Sequence, residues 1–172
     1  MSDPRSYSNL PEPEVPGPGQ ESAWDYPRPP RLEPVERRLR VVLGGEVVAD
    51  TMRGFRVLET SHPPNYYLPP DDIVEGALTP ARGATVCEWK GRARFFTVHG
   101  GDRMETEAAW CYDTPSEAFA LIRGHVAFYA QRMDACFVDD EQVTPQPGRF
   151  YGGWITPDVV GPFKGGPGSR GW

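Results

Sequence analysis

The chain has 172 residues, about the length of one domain, and its 24 acidic and 18 basic side chains give a formal net charge of −6. This acidic balance argues against a protein that binds nucleic acid through the phosphates, because such binding needs a basic surface. The 19 glycines and 20 prolines exclude a mainly helical fold, since both residues are disfavoured inside helices. We therefore expect a β-rich domain with many loops.

The N-terminal segment, residues 1–34, holds many prolines and almost no aliphatic side chains. Such a segment cannot bury enough apolar surface to offset the entropy lost on ordering. We therefore predict a disordered or extended arm, followed by a β-rich domain over residues 35–147. Trp24 and Tyr26 leave open a second interpretation, in which the arm docks through its aromatic side chains.

No stretch of the chain has the length and apolar character of a membrane span, and the N-terminal segment lacks the apolar core of a signal peptide. The three cysteines, Cys87, Cys111 and Cys136, are odd in number and widely spaced. This pattern is typical of reduced thiols rather than of a disulfide framework. The sequence therefore predicts a cytoplasmic protein with no membrane partner.

Alternation of apolar and polar residues, interrupted by turn residues, predicts the strands in chain order. They are a hairpin at 39–50, a strand at 54–60, a pair at 85–91 and 92–98, and single strands at 107–112, 126–129 and 136–138. Gly44 and Gly45 form the turn of the first hairpin. One short helix is predicted over residues 115–123, with Thr114 as its N-cap and Glu117 completing a capping box.

The final segment, residues 148–172, is rich in glycine and proline but carries large aromatic side chains, which are unusual in an unstructured tail. These are Phe150, Tyr151, Trp154, Phe163 and Trp172. We predict an irregular tail that packs onto the domain. The fold class is then mainly β, with antiparallel sheets, one short helix and this aromatic-rich tail.

Aromatic residues recur in the β-rich region next to a few charged side chains. A cavity with aromatic walls and a few converging polar groups is typical of a small-molecule site. We expect Glu59 and Lys90 to be the polar contacts of such a pocket, with walls formed by Tyr67, Trp89, Trp110, Tyr112, Phe128 and Tyr129. The same residues can also form an aromatic core with paired polar edges, and the sequence leaves that interpretation open.

Two other functions are also open. A lysine desolvated among aromatic side chains can act as a base, a nucleophile or an anion clamp, so an enzyme could use Lys90 or Cys87 with Glu59 as general base. Alternatively, the proline-rich arm could make the chain a protein-interaction module.

The sequence predicts neither a metal site nor a cofactor. His62, His99 and His125 are isolated, and no pair of cysteines has the spacing of a zinc site. Residues 166–171 fit the pattern G-x-G-x-x-G, but they follow no predicted strand and precede no helix that could hold a phosphate.

Several stretches together resemble the domain-of-unknown-function family 427. They lie at 58–60, 64–69, 87–93, 109–112 and 124–129, and residues 152–156 and 161–165 are similar to a long-tailed subgroup. The resemblance covers roughly residues 38–172. It implies a small, mainly β domain of the type called a β-tent, with a pocket near the Cys-x-x-Lys-Gly turn, and it implies no particular activity. We accordingly expect compact β-tent-like or small barrel-like antiparallel sheets.

This family sometimes carries a nucleotidyltransferase label. That activity would need a Gly-Ser pair followed by paired aspartates that hold two metal ions. The only Gly-Ser pair here is Gly168 and Ser169, and the chain contains no Asp-x-Asp. The sequence therefore gives the label no support.

Overall fold

The structure, a computed structural model, describes residues 10–87 and 89–172. Its strands are β1 (Glu21–Ser22), β2 (Arg31–Val35), β3 (Leu39–Leu43), β4 (Glu46–Thr51), β5 (Gly54–Leu58), β6 (Asn65–Tyr67), β7 (Leu78–Cys87), β8 (Gly91–Gly100), β9 (Arg103–Tyr112), β10 (Val126–Phe128), β11 (Ala135–Val138), β12 (Glu141–Gln142), β13 (Thr144–Pro145), β14 (Trp154–Ile155) and β15 (Val159–Val160). Short 3-10 helices cover Ala23–Asp25, Pro70–Asp72, Glu117–Ile122 and Ala130–Arg132.

Two antiparallel sheets of four strands and one of three form the body of the domain. Their strand orders are β10-β9-β8-β7, β12-β11-β3-β4 and β2-β5-β6. The mainly β, antiparallel fold class is therefore confirmed. Within the described residues none of these sheets closes into a barrel, so the barrel-like form of the expectation is not found.

The sheet β10-β9-β8-β7 separates two apolar clusters. Successive side chains of a strand point to opposite faces. Ala109 and Cys111 of β9 accordingly belong to the main core, which also contains Leu39 and Trp154. Trp110 and Tyr112 face the other way and join a second, aromatic cluster. The candidate site lies on this second face.

The predicted hairpin of β3 and β4 is confirmed. Gly44 and Gly45 both have positive φ, 62° and 76°, as a tight two-residue turn requires. The turn also touches the β8–β9 turn, since a Cβ on Gly44 would lie only 2.0 Å from the carbonyl oxygen of Gly100. Glycine is therefore needed at this position for both the turn and the contact.

The proline-rich segment differs from the predicted separate arm, because it joins the sheets from Glu21 onward. Strand β1 pairs in parallel with β15, and β2 pairs with β5. The boundary expected at residue 35 consequently falls inside β2. Pro34 is tolerated there because β2 is an edge strand, where a missing N–H leaves no partner unpaired. Residues 1–9 of the predicted arm lie outside the described residues.

The two arm aromatics contact the chain itself. The indole Nε1 of Trp24 donates a hydrogen bond to the carbonyl oxygen of Pro162 over 2.8 Å. Tyr26 is buried and its hydroxyl donates to Glu21 over 2.8 Å. These contacts hold the segment against the C-terminal part of the chain.

The short helix predicted over residues 115–123 is present as a 3-10 helix at Glu117–Ile122. The predicted capping box is wrong, because Ser116 and not Thr114 precedes the helix, and its side chain makes no cap hydrogen bond. Phe119 and Ile122 are both buried, and residues three apart lie on the same face of a 3-10 helix. Burial of these two side chains thus outweighs the local capping signal of Thr114.

The C-terminal segment packs across the domain. Trp154 is fully buried in the main core, and its indole Nε1 donates to the carbonyl oxygen of Phe128 over 3.0 Å. Strand β14, which carries Trp154, pairs with β13. No helix in the described part of the chain is long and apolar enough to cross a membrane.

Candidate functional site

A cavity of about 240 Å³ lies between the aromatic face of the β10-β9-β8-β7 sheet and the loop that follows β5. Its mouth carries the strongly exposed side chains of Val86 and Phe150. The cavity is lined by Val57, Glu59, His62, Asn65, Thr85, Val86, Cys87, Lys90, Ala93, Phe95, Trp110, Tyr112, Tyr129, Phe150, Tyr151 and Gly152.

The tight turn between β7 and β8 brings Lys90 into this cavity. Gly91 has a φ of 109°, which a residue with a side chain rarely adopts. The turn is held by Ser116, whose N–H donates to the Lys90 carbonyl over 3.1 Å. Lys90 is only 8% exposed, and its Nζ lies 5.7 Å from the ring centroid of Tyr112.

Glu59 and His62 enter from the loop after β5. The N–H of His62 donates to the Glu59 carbonyl over 3.0 Å, and Ser61 between them has a positive φ of 69°. This tight loop directs both side chains to the cavity. Their Nε2 and Oε2 atoms lie 2.9 Å apart.

Gln146 fixes the proton on His62. Its Oε1 accepts from the Gly153 N–H over 3.0 Å, and its Nε2 donates to the Lys164 carbonyl over 2.8 Å, so the amide orientation is determined. The same Nε2 lies 3.1 Å from His62 Nδ1, which must therefore accept. The Nε2–H of His62 then donates to Glu59.

The electrostatics of the site keep Glu59 ionised. Burial, the largest single influence, raises the pKa of Glu59. The hydrogen bond from His62, together with the charges of Lys90 and Arg28, outweighs burial and lowers the pKa below its ordinary value of 4.5. Arg28 lies at the rim, with its Nε 3.9 Å from Glu59 Oε2.

Two polar groups near the cavity have no hydrogen-bond partner among the described residues. The Oδ1 of Asn65 is one, and Asn65 lines the cavity. The hydroxyl of Tyr67 is the other, and its ring contacts those of Trp110 and Tyr112 with centroids 6.3 Å away in each case. Burial raises the pKa of both Tyr67 and Tyr112, so these phenols stay protonated.

The comparisons with known proteins bear on this geometry. A family model described as "Domain of unknown function (DUF427)" matches residues 31–139, well over half of the chain. The chain belongs to this family. The family model is named NTP_transf_9, in keeping with the nucleotidyltransferase label. The comparison with curated proteins gave no match.

The DUF427 match covers the strands that carry the cavity wall and both charged side chains, Glu59 and Lys90. It ends before Gln146 and before the aromatic residues of the C-terminal segment. In the described part of this DUF427 domain, no group of three or more His, Cys, Asp or Glu side chains is arranged to hold a metal ion.

Six residues predicted from the sequence meet at the DUF427 cavity: Glu59, Cys87, Lys90, Trp110, Tyr112 and Tyr129. Tyr67 is fully buried behind Trp110, so it supports the wall rather than lining it. Phe128 belongs to the main core on the opposite face of the sheet, and its predicted place in the wall is wrong. Trp89 is half-buried and packs from the turn against the aromatic cluster.

Sequence reasoning missed the roles of His62, Asn65 and Gln146 at the site. The partners of Gln146 lie far from it along the chain, so no local pattern marks it. The sequence predicts that Phe150 and Tyr151 of the C-terminal segment pack onto the domain, but it does not predict that they line the cavity.

Proposed function

We propose that this DUF427 protein binds a small aromatic molecule in the cavity. The ligand presents an N–H donor to Glu59 and an anionic or carbonyl oxygen to Lys90. The observation that carries this proposal is the meeting of two opposite charges, a buried lysine and a half-buried carboxylate, at one aromatic cavity.

Glu59 is prepared to accept from a ligand. His62 and Arg28 both approach its Oε2, so Oε1 is left for a ligand donor. The lowered pKa keeps the carboxylate charged at neutral pH. The amide of Asn65 lies on the same wall and has an unused hydrogen-bonding oxygen among the described residues. A ligand amine, amide or ring N–H suits this pair of groups.

Lys90 supplies the complementary charge. A buried ammonium group is costly unless it is paired. Among the residues that the structure describes, no carboxylate lies within ion-pair distance of Lys90, and its Nζ makes a cation–π contact with the Tyr112 ring. A ligand oxygen would complete this pairing.

The walls favour a planar ligand. Trp110 and Tyr129 lie with ring centroids 4.6 Å apart, and Trp110 is itself largely buried. Offset or edge contacts with such rings favour an aromatic guest over an aliphatic one of equal size.

Binding fits this site better than general-base catalysis. A catalytic carboxylate base works best with a pKa raised toward neutrality. The pKa of Glu59 is lowered instead, because His62 donates to it. Glu59 is thus suited to hold a donor as a fixed charge. Cys87 and Lys90 both line the cavity, so a reaction at either remains the alternative function.

A thermal-shift screen of small aromatic compounds tests the proposal. The library should contain indole, tryptamine, indole acetate and their heterocyclic analogues. A compound that binds the native state raises the melting temperature by mass action. We expect hits on the wild type that Lys90→Met and Glu59→Gln abolish.

The chain provides a matched control, because Lys90 and Lys164 are its only lysines. Lys164→Met should retain the hits. A bound compound should also protect Lys90, but not Lys164, from an amine-specific reagent. Hits that survive both Lys90→Met and Glu59→Gln, or no hits at millimolar concentration, would overturn the proposal.

A further inference from the structure

A second groove continues from the cavity. Its volume is about 510 Å³, and it shares the side chains of Phe95, Tyr129 and Phe150 with the first cavity. The three shared rings form a common wall, so a ligand that emerges past Phe150 enters the groove directly.

The groove carries charges of its own. Its charged side chains are Glu107, Arg132 and Arg149. Arg132 is engaged by Glu105, which accepts from its Nε over 3.2 Å and from its Nη2 over 3.0 Å. Arg149 forms no ion pair with any residue that the structure describes.

Among the described residues of the groove wall, the single carboxylate, that of Glu107, is turned toward an edge strand. A Cβ on Gly83 of β7 would lie 3.6 Å from Glu107 Oε1, so this oxygen is next to the bulged part of β7. Gln131 also lines the groove, and its Oε1 has no hydrogen-bond partner among the described residues. Arg149 is therefore the unengaged cation of the described groove wall.

Close backbone contacts at both ends hold the segment that carries Arg149. Gly148 has a φ of 89°, and a Cβ there would lie 2.5 Å from the Gly165 carbonyl oxygen. At the other end, a Cβ on Gly152 would lie 2.3 Å from the Trp110 ring. These anchors fix the backbone of Arg149 beside the groove, so that only its side chain has to be ordered on binding.

We propose that the cavity and the groove form one elongated site, in which Arg149 binds an anionic group at the far end of the ligand. This inference rests on the proposed function, since the aromatic body of the ligand occupies the first cavity. The anionic group is a carboxylate, phosphate or sulfonate, which the planar guanidinium recognises through two parallel hydrogen bonds.

Two fluorescent probes separate the aromatic and the anionic contributions. Anilinonaphthalene sulfonate and N-phenylnaphthylamine share the same ring system, and only the first carries an anionic group. Both brighten in an apolar site, so their dissociation constants follow from fluorescence titration. We expect the sulfonate to bind the wild type more tightly than the neutral probe.

Variants then locate the anionic contact. Arg149→Gln should weaken sulfonate binding about tenfold, the value of one charge-assisted contact, and leave the neutral probe unchanged. Arg170→Gln, at an exposed arginine outside both cavities, should change neither probe.

Equal binding of the two probes to the wild type would overturn the inference. So would a sulfonate advantage that survives Arg149→Gln and disappears in Lys90→Met, because the anion would then sit in the first cavity. If neither probe binds the wild type, this result would instead overturn the proposed aromatic site on which the inference rests.

Discussion

Gln146 links the candidate site to the C-terminal segment through one buried side chain. It is 2% exposed and contacts His62, the Gly153 N–H and the Lys164 carbonyl. The two backbone groups belong to a segment with little regular structure, so they depend on this amide for their hydrogen bonds. One residue thereby fixes both the tautomer of His62 and the course of the segment.

Gln146→Leu should lower the free energy of unfolding by roughly 2–4 kcal/mol, because it leaves buried polar groups unpaired. Denaturation with urea measures the change. Gln142→Leu makes the same chemical change on the exposed strand β12, where it should shift stability by less than about 0.5 kcal/mol. Equal effects of the two substitutions would contradict the buried role of Gln146.

The pKa of Glu59 depends on His62. In His62→Phe, burial would be opposed only by Lys90 and Arg28, so the pKa of Glu59 should rise. Carboxyl carbon NMR over pH 2–7 measures it directly. His99→Phe, on β8 and outside the cavity, should leave the pKa of Glu59 unchanged.

The lowered pKa of Glu59 in the wild type also makes the free energy of unfolding depend on pH. In the wild type the folded-state pKa of Glu59 lies below 4.5. Its charge therefore stabilises the fold above that pH, and the contribution is lost as the pH falls through the folded-state pKa. The acid-induced loss of unfolding free energy should be smaller in His62→Phe. An unaltered acid slope would show that the Glu59–His62 bond does not persist in solution.

At the scale of elements, charged side chains fasten β1 and β2 to β5. Arg56 of β5 lies with its Nη1 2.6 Å from Glu21 Oε1 and its Nε 2.5 Å from Glu33 Oε1. The side chain of Arg56 is only 18% exposed, so solvent screens these pairs weakly. The pairs join the N-terminal strands β1 and β2 to β5, which lies about 20 residues further along the chain.

Arg56→Met should lower the unfolding free energy by about 1–3 kcal/mol, because it leaves Glu21 without its counter-charge and Glu33 with only the more distant Arg31. Arg31→Met removes a more exposed partner of the same Glu33, 3.5 Å away, and should cost less than about 0.5 kcal/mol. Chemical denaturation of both variants gives the comparison. A larger loss of unfolding free energy in Arg31→Met would refute the conclusion that Arg56 makes the main charged contacts between these strands.

Strands could be predicted where a local signal exists, and contacts across the chain could not. The glycine pair of the β3–β4 hairpin fixes its turn from two adjacent residues. By contrast, nothing local shows that Pro34 lies on an edge strand, or that Gln146 meets His62. The sequence Ala127-Phe128-Tyr129 predicts a strand, but it does not tell which of its faces meets the core. The assignment of Phe128 to the cavity failed for this reason.

On the scale of the whole molecule, the C-terminal segment completes the main core. Trp154 fills it from outside the family match, and Phe150 and Tyr151 of the same segment line the cavity. The fold and the candidate site therefore both depend on residues beyond position 139.

Trp154→Ala should lower the free energy of unfolding by about 3–5 kcal/mol, because it opens a large cavity and leaves the Phe128 carbonyl unpaired. Phe150→Ala removes an exposed ring from the same segment and should change stability by less than about 0.5 kcal/mol. Thermal and urea unfolding of the two variants test this contrast. Similar losses would mean that the segment does not contribute to the core through Trp154.

The alternation of faces along β9 and β10 also determines which positions of this domain can be substituted without changing its core. Trp110 and Tyr112 face the cavity, while Ala109 and Cys111 between and beside them belong to the main core. Recognition and folding are thus encoded at interleaved positions of the same strand. Laboratory evolution could randomise the cavity positions alone, and the scaffold could acquire new ligands while every core residue of the strand is retained.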